Sequence, residues 1–422
     1  MAEPIILLLM VAVFIVLAVL LKLPMGVSMA LAALAGALAG GEGFALRHLV
    51  EGAFGFFDII LIIASAMIFM KVLRESGILD SLVALILKSF YKNKVVLLLT
   101  VMLLLMFPGM ITGSSLAAVL STGPLIAPVL MRLGLSRVKT AAFVALGAIL
   151  GMIAPPVNIL VMIMGGGVDM PYSGLTAPLL LIAIPPAVII ALGLGLKGLK
   201  TLNAAEVKAF LPPAPSKAYG FRLYLPLLLV LVLMILQNLR VAFAADLGLP
   251  AIFFIGSLSG LFCGRRFNFL KATQSALSEA MPILSILAGV GMFIQVMTLT
   301  GARGWAVMTF LSLPPLWLYA GIGISMPLFG GVSAYGSASV LGVPFLLALI
   351  DKNALITASA LSAIVGIGDL MPPAAMAARF SAQVVGEKSF VRVLRACLIP
   401  ALLILAWGLA VLLLTPWLDK VM

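Results

Sequence analysis

The chain has 422 residues, 64% of them hydrophobic and 9% charged, with a formal net charge of +12. Soluble domains carry about 25% charged residues, so a chain this apolar cannot present a wetted surface, and lipid must be its solvent. Its basic excess belongs to short loops that set membrane orientation and not to nucleic-acid binding, while two cysteines and one histidine exclude a disulfide framework and any His-pair metal site.

A spanning helix needs about 20 apolar residues. The first apolar stretch, 5–21, has no basic leader and no small-residue cleavage site, so it reads as a helix and not as a signal peptide. Further spans are expected at about 25–40, 56–73, 138–157 and 175–196. A polar linker with Pro212, Pro213 and Pro215 follows, and then spans at about 223–240, 250–263, 280–299, 354–371 and 396–416. Between them, 43–52, 78–91, 267–280 and 305–313 are short, mixed and amphipathic, which predicts helices lying at the membrane interface, with ordinary loops as the alternative. Two regions, 94–131 and 315–350, are long enough to enter the bilayer and return, and Pro and Gly clusters interrupt both. If the N-terminus faces outward and 94–131 is re-entrant, most Lys and Arg, Lys71 and Arg74 among them, face the cytoplasm together with the linker.

The halves resemble each other. Phe107-Pro-Gly-Met-Ile-Thr-Gly-Ser-Ser115 in the first corresponds to Phe329-Gly-Gly-Val-Ser-Ala-Tyr-Gly-Ser337 in the second, and Gly151 to Pro156 corresponds to Gly368 to Pro373. Two motifs in the same order in both halves predict an internal repeat. An odd number of crossings in the first half makes it an inverted-topology repeat, the signature of many secondary transporters. The expected division is 1–199 for the first repeat, with its hairpin at about 94–131; 200–222 for a cytoplasmic linker; and 223–422 for the second repeat, with its hairpin at about 315–350.

Backbone amides and carbonyls inside a bilayer must find partners. Pro155-Pro156 and Pro372-Pro373 each lack backbone donors and so expose carbonyls of the preceding turn. Helix breaks next to hydroxyl-bearing hairpin tips predict oxygen cages suited to a hard cation such as Na+. The first cage is expected from Gly113, Ser114 and the carbonyls before Pro155, and the second from Ser333, Gly336, Gly368 and Asp369. Thr112, Ser115, Asn158 and Ser337 are candidates for contact with an anionic substrate at the hairpin tips. Arg379 either binds a substrate carboxylate or snorkels to the headgroups. Asp58 and Glu279 read as residues near span ends. Close packing of small residues is the competing explanation for an isolated Gly-Ser patch.

The order Phe107 to Ser115, Gly123-Pro124, Gly134, Ala141-Ala142 and Gly147 to Pro156 resembles the large membrane subunit of TRAP (tripartite ATP-independent periplasmic) transporters, within the ion transporter superfamily. Leu23-Pro-Met-Gly26 and Gly77-Ile78 extend the likeness over nearly the whole chain. The resemblance implies an all-α polytopic membrane protein of the bacterial inner membrane, in which an elevator-type transport domain holding both hairpins moves against a scaffold. It implies sodium-driven uptake of a carboxylate or sugar acid, with Na+ as coupling ion and no other cofactor. A periplasmic substrate-binding protein and a small four-helix membrane subunit would be its partners. The alternative is a single-component cation-coupled carboxylate carrier; a channel or an intramembrane enzyme accounts for less of the pattern.

Overall fold

The computed structural model describes residues 1–199, 216–239, 241 and 247–421. Among these the chain is all-helical, without strands, and six helices are long and apolar enough to cross a membrane. It is a multi-pass membrane protein.

In the first half α1 (Glu3–Ile15) runs through a π-turn (Val16–Leu20) and is followed by α2 (Met25–Gly40), α3 (Leu46–Phe54), α4 (Phe57–Glu75) and α5 (Ile78–Phe90). Next come α6 (Lys94–Thr112), α7 (Ser115–Ser121), α8 (Gly123–Arg132), α9 (Arg137–Met152), α10 (Ile159–Gly167) and α11 (Thr176–Gly195). Residues 200–215 of the expected linker lie outside the described residues, and its end is a helical turn, Ser216–Tyr219, leading through Gly220–Tyr224 into α12 (Leu225–Asn238). The second half continues with α13 (Leu249–Gly260), α14 (Phe269–Leu299), α15 (Ala302–Leu311), α16 (Pro315–Gly330), α17 (Ala334–Ala348), α18 (Ala354–Gly366), α19 (Met376–Val385) and α20 (Phe390–Leu418).

Most helices fall where periodicity and apolar runs place them. One expectation fails: 267–280 is not a separate interfacial helix but the first part of the 31-residue α14. Asn268 starts that helix by accepting from Lys271 N–H at 3.0 Å, and no Gly or Pro-Pro interrupts it before the apolar run. Glu279 therefore lies within a continuous helix and does not begin one.

The helices pack in two groups. In the first, α14 lies on α2, α3 and α4, with α13 bridging α4 and α12. In the second, α9 is central, against α6, α7, α8, α11, α19 and α20, while α18 packs on α10, α11, α16 and α20. Every residue of α9 from Thr140 to Met152 is buried, as is every residue of α18 from Ile356 to Gly366. A helix apolar all round belongs in a core, and these two form the cores on which the hairpin regions rest.

Candidate functional site

The two regions expected as hairpins, 94–131 and 315–350, are built alike. In α6 the chain stays helical to Thr112, breaks at Gly113 (φ 62°) and restarts as α7, whose N-cap Ser114 accepts from Ala117 N–H at 3.3 Å. In the second, α16 ends at Gly330, and α17 restarts behind Ser333, which accepts from Gly336 N–H at 3.1 Å. Each hairpin lies on a Pro-Pro break: Val157 N–H donates to Met110 O at 3.0 Å, and Ala374 N–H donates to Gly331 O at 3.0 Å.

Glycine makes this possible, because backbone meets backbone. A Cβ on Gly109 would stand 2.8 Å from the Gly151 carbonyl carbon, and one on Gly330 would stand 2.9 Å from Gly368 Cα. These contacts correct the motif alignment by one residue. Gly109 corresponds to Gly330 and Met110 to Gly331, so Phe107 stands opposite Leu328 and not Phe329. The first turn is also two residues longer, which brings the cap residues Ser114 and Ser333 into equivalence.

The breaks leave fewer free oxygens than proline chemistry alone suggests. Gly151 O accepts from Ala154 N–H at 3.1 Å and Gly368 O from Met371 N–H at 2.8 Å. Ile153 O accepts from Asn158 Nδ2 at 2.9 Å, and Pro156 O accepts from the Tyr172 hydroxyl at 3.0 Å, which in turn accepts from Asn158 N–H. Asn158 also donates to Ser362 Oγ at 3.0 Å and caps α10 through Val161 N–H, so its side chain is engaged within the fold. The protein itself closes much of the cage around Pro155.

Between the helix groups lies a cavity of about 340 Å³. Thr112, Ser114 and Ser115 of the first hairpin and Ser333 of the second reach it, together with Asp369. Asp369 belongs to the second half, yet its carboxylate accepts the hydroxyl of Ser115 from the first. Tyr335 also lines the cavity and donates across the halves to Gly113 O at 3.3 Å. None of the ion pairs among the described residues involves Asp369.

The remaining candidates lie elsewhere. Gly113 packs against Ile159, and Gly368 against Gly330, behind the cavity wall. Ser337 donates to Met326 O at 2.8 Å, and Gly336 is engaged with Ser333. Arg379 is exposed; it donates to Pro373 O at 2.8 Å, and its guanidinium sits 4.9 Å from the Phe390 ring centroid.

Three charged residues at the cavity were read from sequence only as loop or span-end charges. Lys71 and Arg74 reach it from α4, and Glu279 from α14, where Lys71 Nζ donates to Glu279 Oε1 at 2.8 Å. Met67, Met70, Lys71 and Arg74 recur at intervals of three and four, so they share one helix face. That spacing was the available signal, but a basic residue near a span end reads first as an orientation charge.

Residues 2–199, under half of the chain, match the family model of the Na+/H+ antiporter family. The fold matches the crystal structure of the Alcanivorax borkumensis YdaH transporter with a TM-score of 0.62 and 16% identity, over 89% of this chain and 88% of that one. It also matches MtrF of Neisseria gonorrhoeae, described as illuminating a class of antimetabolite efflux pumps, with a TM-score of 0.55 and 15% identity, over 87% of this chain and 83% of that one. The fold is therefore one that these two membrane proteins share. No curated protein matches the sequence. These matches agree with the TRAP likeness seen in the motifs as far as a transporter-type fold, and they do not single out that subunit.

Proposed function

We propose that this chain is a secondary active transporter of the bacterial inner membrane that couples Na+ movement to transport of a small organic anion. One observation carries the reading: a carboxylate, Asp369, faces a cavity between two hairpin tips and accepts from Ser115, with no basic side chain paired to it among the described residues. An intramembrane carboxylate without a protein cation is costly and marks an ion or proton path. Ser115, Thr112 and Ser114 supply neutral oxygens beside it, the donor chemistry that a hard cation takes.

In this reading the halves are inverted repeats, 1–199 and 223–422. The α6–α8 and α16–α17 regions are the hairpins of a moving transport domain, and α2, α4 and α14 belong to its scaffold. Lining by both helix groups supports this, because sliding one group past the other would change which side of the membrane the cavity meets. The cation site centres on Asp369 and Ser115, and the turns at Pro155 and Gly368 hold the hairpins in register.

The antiporter-family match over residues 2–199 favours a second version, in which inward cation flow drives export of the substrate. A tripartite version adds a periplasmic substrate-binding protein and a small four-helix subunit. Purified chain reconstituted alone in liposomes separates these, because saturable gradient-driven transport without further subunits supports the single-chain carrier, and its direction relative to the cation gradient distinguishes uptake from export.

The coupling ion is tested by thermal unfolding in nanodiscs. Sodium chloride is expected to raise the unfolding temperature above that in choline chloride, and Asp369→Asn to abolish the difference. Equal stability of the wild-type chain in both salts would overturn sodium coupling, and stabilisation seen only as the pH falls would reassign the site to protons.

A further inference from the structure

The cavity wall opposite the hairpin tips has an apolar stretch and a charged end. From α4, Met67 and Met70 lie on the same face as Lys71 and Arg74, and from α14, Ile283 and Ile286 lie on the same face as Glu279. Four large apolar side chains therefore form one stretch of wall, and two cations and an anion gather at one end. Methionine side chains are flexible and polarizable, and they adapt to irregular apolar ligands.

The charges do not cancel. Lys71 is committed to Glu279, which also accepts from Ser275 Oγ at 3.1 Å. Asp369 faces the cavity from the hairpin side and is the carboxylate assigned to the coupling cation. Arg74 remains, with no ion-pair partner among the described residues. A guanidinium beside an apolar wall binds one carboxylate through paired N–H donors. A second carboxylate on the ligand would meet the methionine wall or Glu279, and a polyhydroxylated body would bury hydroxyls against that wall, since the hydroxyls of Thr112, Ser114, Ser115 and Ser333 reach the cavity from the hairpin tips and not from the methionine face.

We infer that the substrate is an apolar monoanion, a small carboxylic acid with a hydrocarbon body, whose carboxylate binds Arg74 while Lys71–Glu279 holds the charged end of the cavity in place. This rests on the carrier reading above and narrows its substrate class away from dicarboxylates and sugar acids. A cavity of about 340 Å³ sits at the lower end of the roughly 300–1,000 Å³ usual for small-molecule sites.

The test measures binding to the whole chain in nanodiscs by calorimetry, with Na+ present and no gradient, so it does not depend on transport. The probes are 3-phenylpropanoate, its neutral amide, succinate and gluconate. The acid is expected to bind about tenfold or more tighter than each of the other three, as one charge-assisted contact implies. Arg74→Gln should remove the preference for acid over amide, and Arg74→Lys should retain part of it. Lys71→Gln, a positioning change, should weaken the acid without erasing that preference. Succinate or gluconate binding as tightly as 3-phenylpropanoate, or an unchanged acid-to-amide ratio in Arg74→Gln, would overturn the inference. Sodium-driven transport of succinate without 3-phenylpropanoate binding would also overturn it while leaving the carrier reading intact. Arg74-dependent binding of the acid in a chain that moves no ions would sustain the site and remove the carrier.

Discussion

The hydroxyl of Ser115 donates to the carboxylate of Asp369, 254 residues further along the chain. The bond joins the first hairpin to the turn beneath the second, across the cavity. If a cation occupies this point, the hydroxyl turns from donor to ligand, and its two states differ in charge balance and not in fold. Ser115→Ala should therefore weaken sodium-dependent stabilisation about tenfold in apparent affinity, the scale of one contact to a charged group. Its unfolding temperature in choline should stay near that of the wild type. A titration of unfolding temperature against sodium concentration checks this, and an unchanged midpoint would take the hydroxyl out of the site.

Backbone contact at Gly109 and Gly330 leaves no room for a side chain. Gly109→Ala and Gly330→Ala should each lower stability by about 1–3 kcal/mol, the cost of overpacking a close contact. Gly304, where an added Cβ would meet nothing within 4 Å, should tolerate alanine. Chemical unfolding of the three variants in one detergent gives the comparison.

Proline explains an otherwise isolated indole. Pro185 has no N–H, so Leu181 O in α11 loses its ordinary helical donor. Trp407 Nε1 of α20 donates to that oxygen at 3.0 Å. Trp407→Phe should cost about 1 kcal/mol through the orphaned carbonyl. The same change in a Pro185→Ala background should cost less, because residue 185 then supplies the missing N–H. A double-mutant cycle reads the difference, and additive effects would contradict the account.

The two core helices each bury one threonine hydroxyl without a partner among the described residues, Thr140 in α9 and Thr357 in α18. They occupy equivalent positions relative to Gly151 and Gly368, eleven residues before each by the numbering. An unsatisfied buried hydroxyl costs about 1–3 kcal/mol, and an isosteric apolar side chain removes that cost. Thr140→Val and Thr357→Val should thus be neutral or stabilising in thermal unfolding. A drop in either would mean that the hydroxyl has a partner and would contradict the account.

Membrane residence, the helical class and most helix positions were settled by composition and periodicity alone, because a bilayer permits few alternatives for runs of this length and polarity. The breaks at Gly113, Pro155-Pro156 and Pro372-Pro373 were legible for the same reason: these residues restrict or free the backbone locally, whatever surrounds them. What they would bind was not legible. The sequence shows that Pro155 removes a donor, but only the tertiary structure shows Asn158, Tyr172 and the turn itself meeting the nearby carbonyls. Asp369 stood out as an intramembrane acid, but its bond to Ser115 joins distant parts of the chain. Lys71, Arg74 and Glu279 looked like ordinary charges near span ends until packing set α4 beside α14 and turned their shared faces toward one cavity. Local chemistry writes helices and their breaks into the chain; a site assembled from both halves exists only once non-local packing brings those faces together.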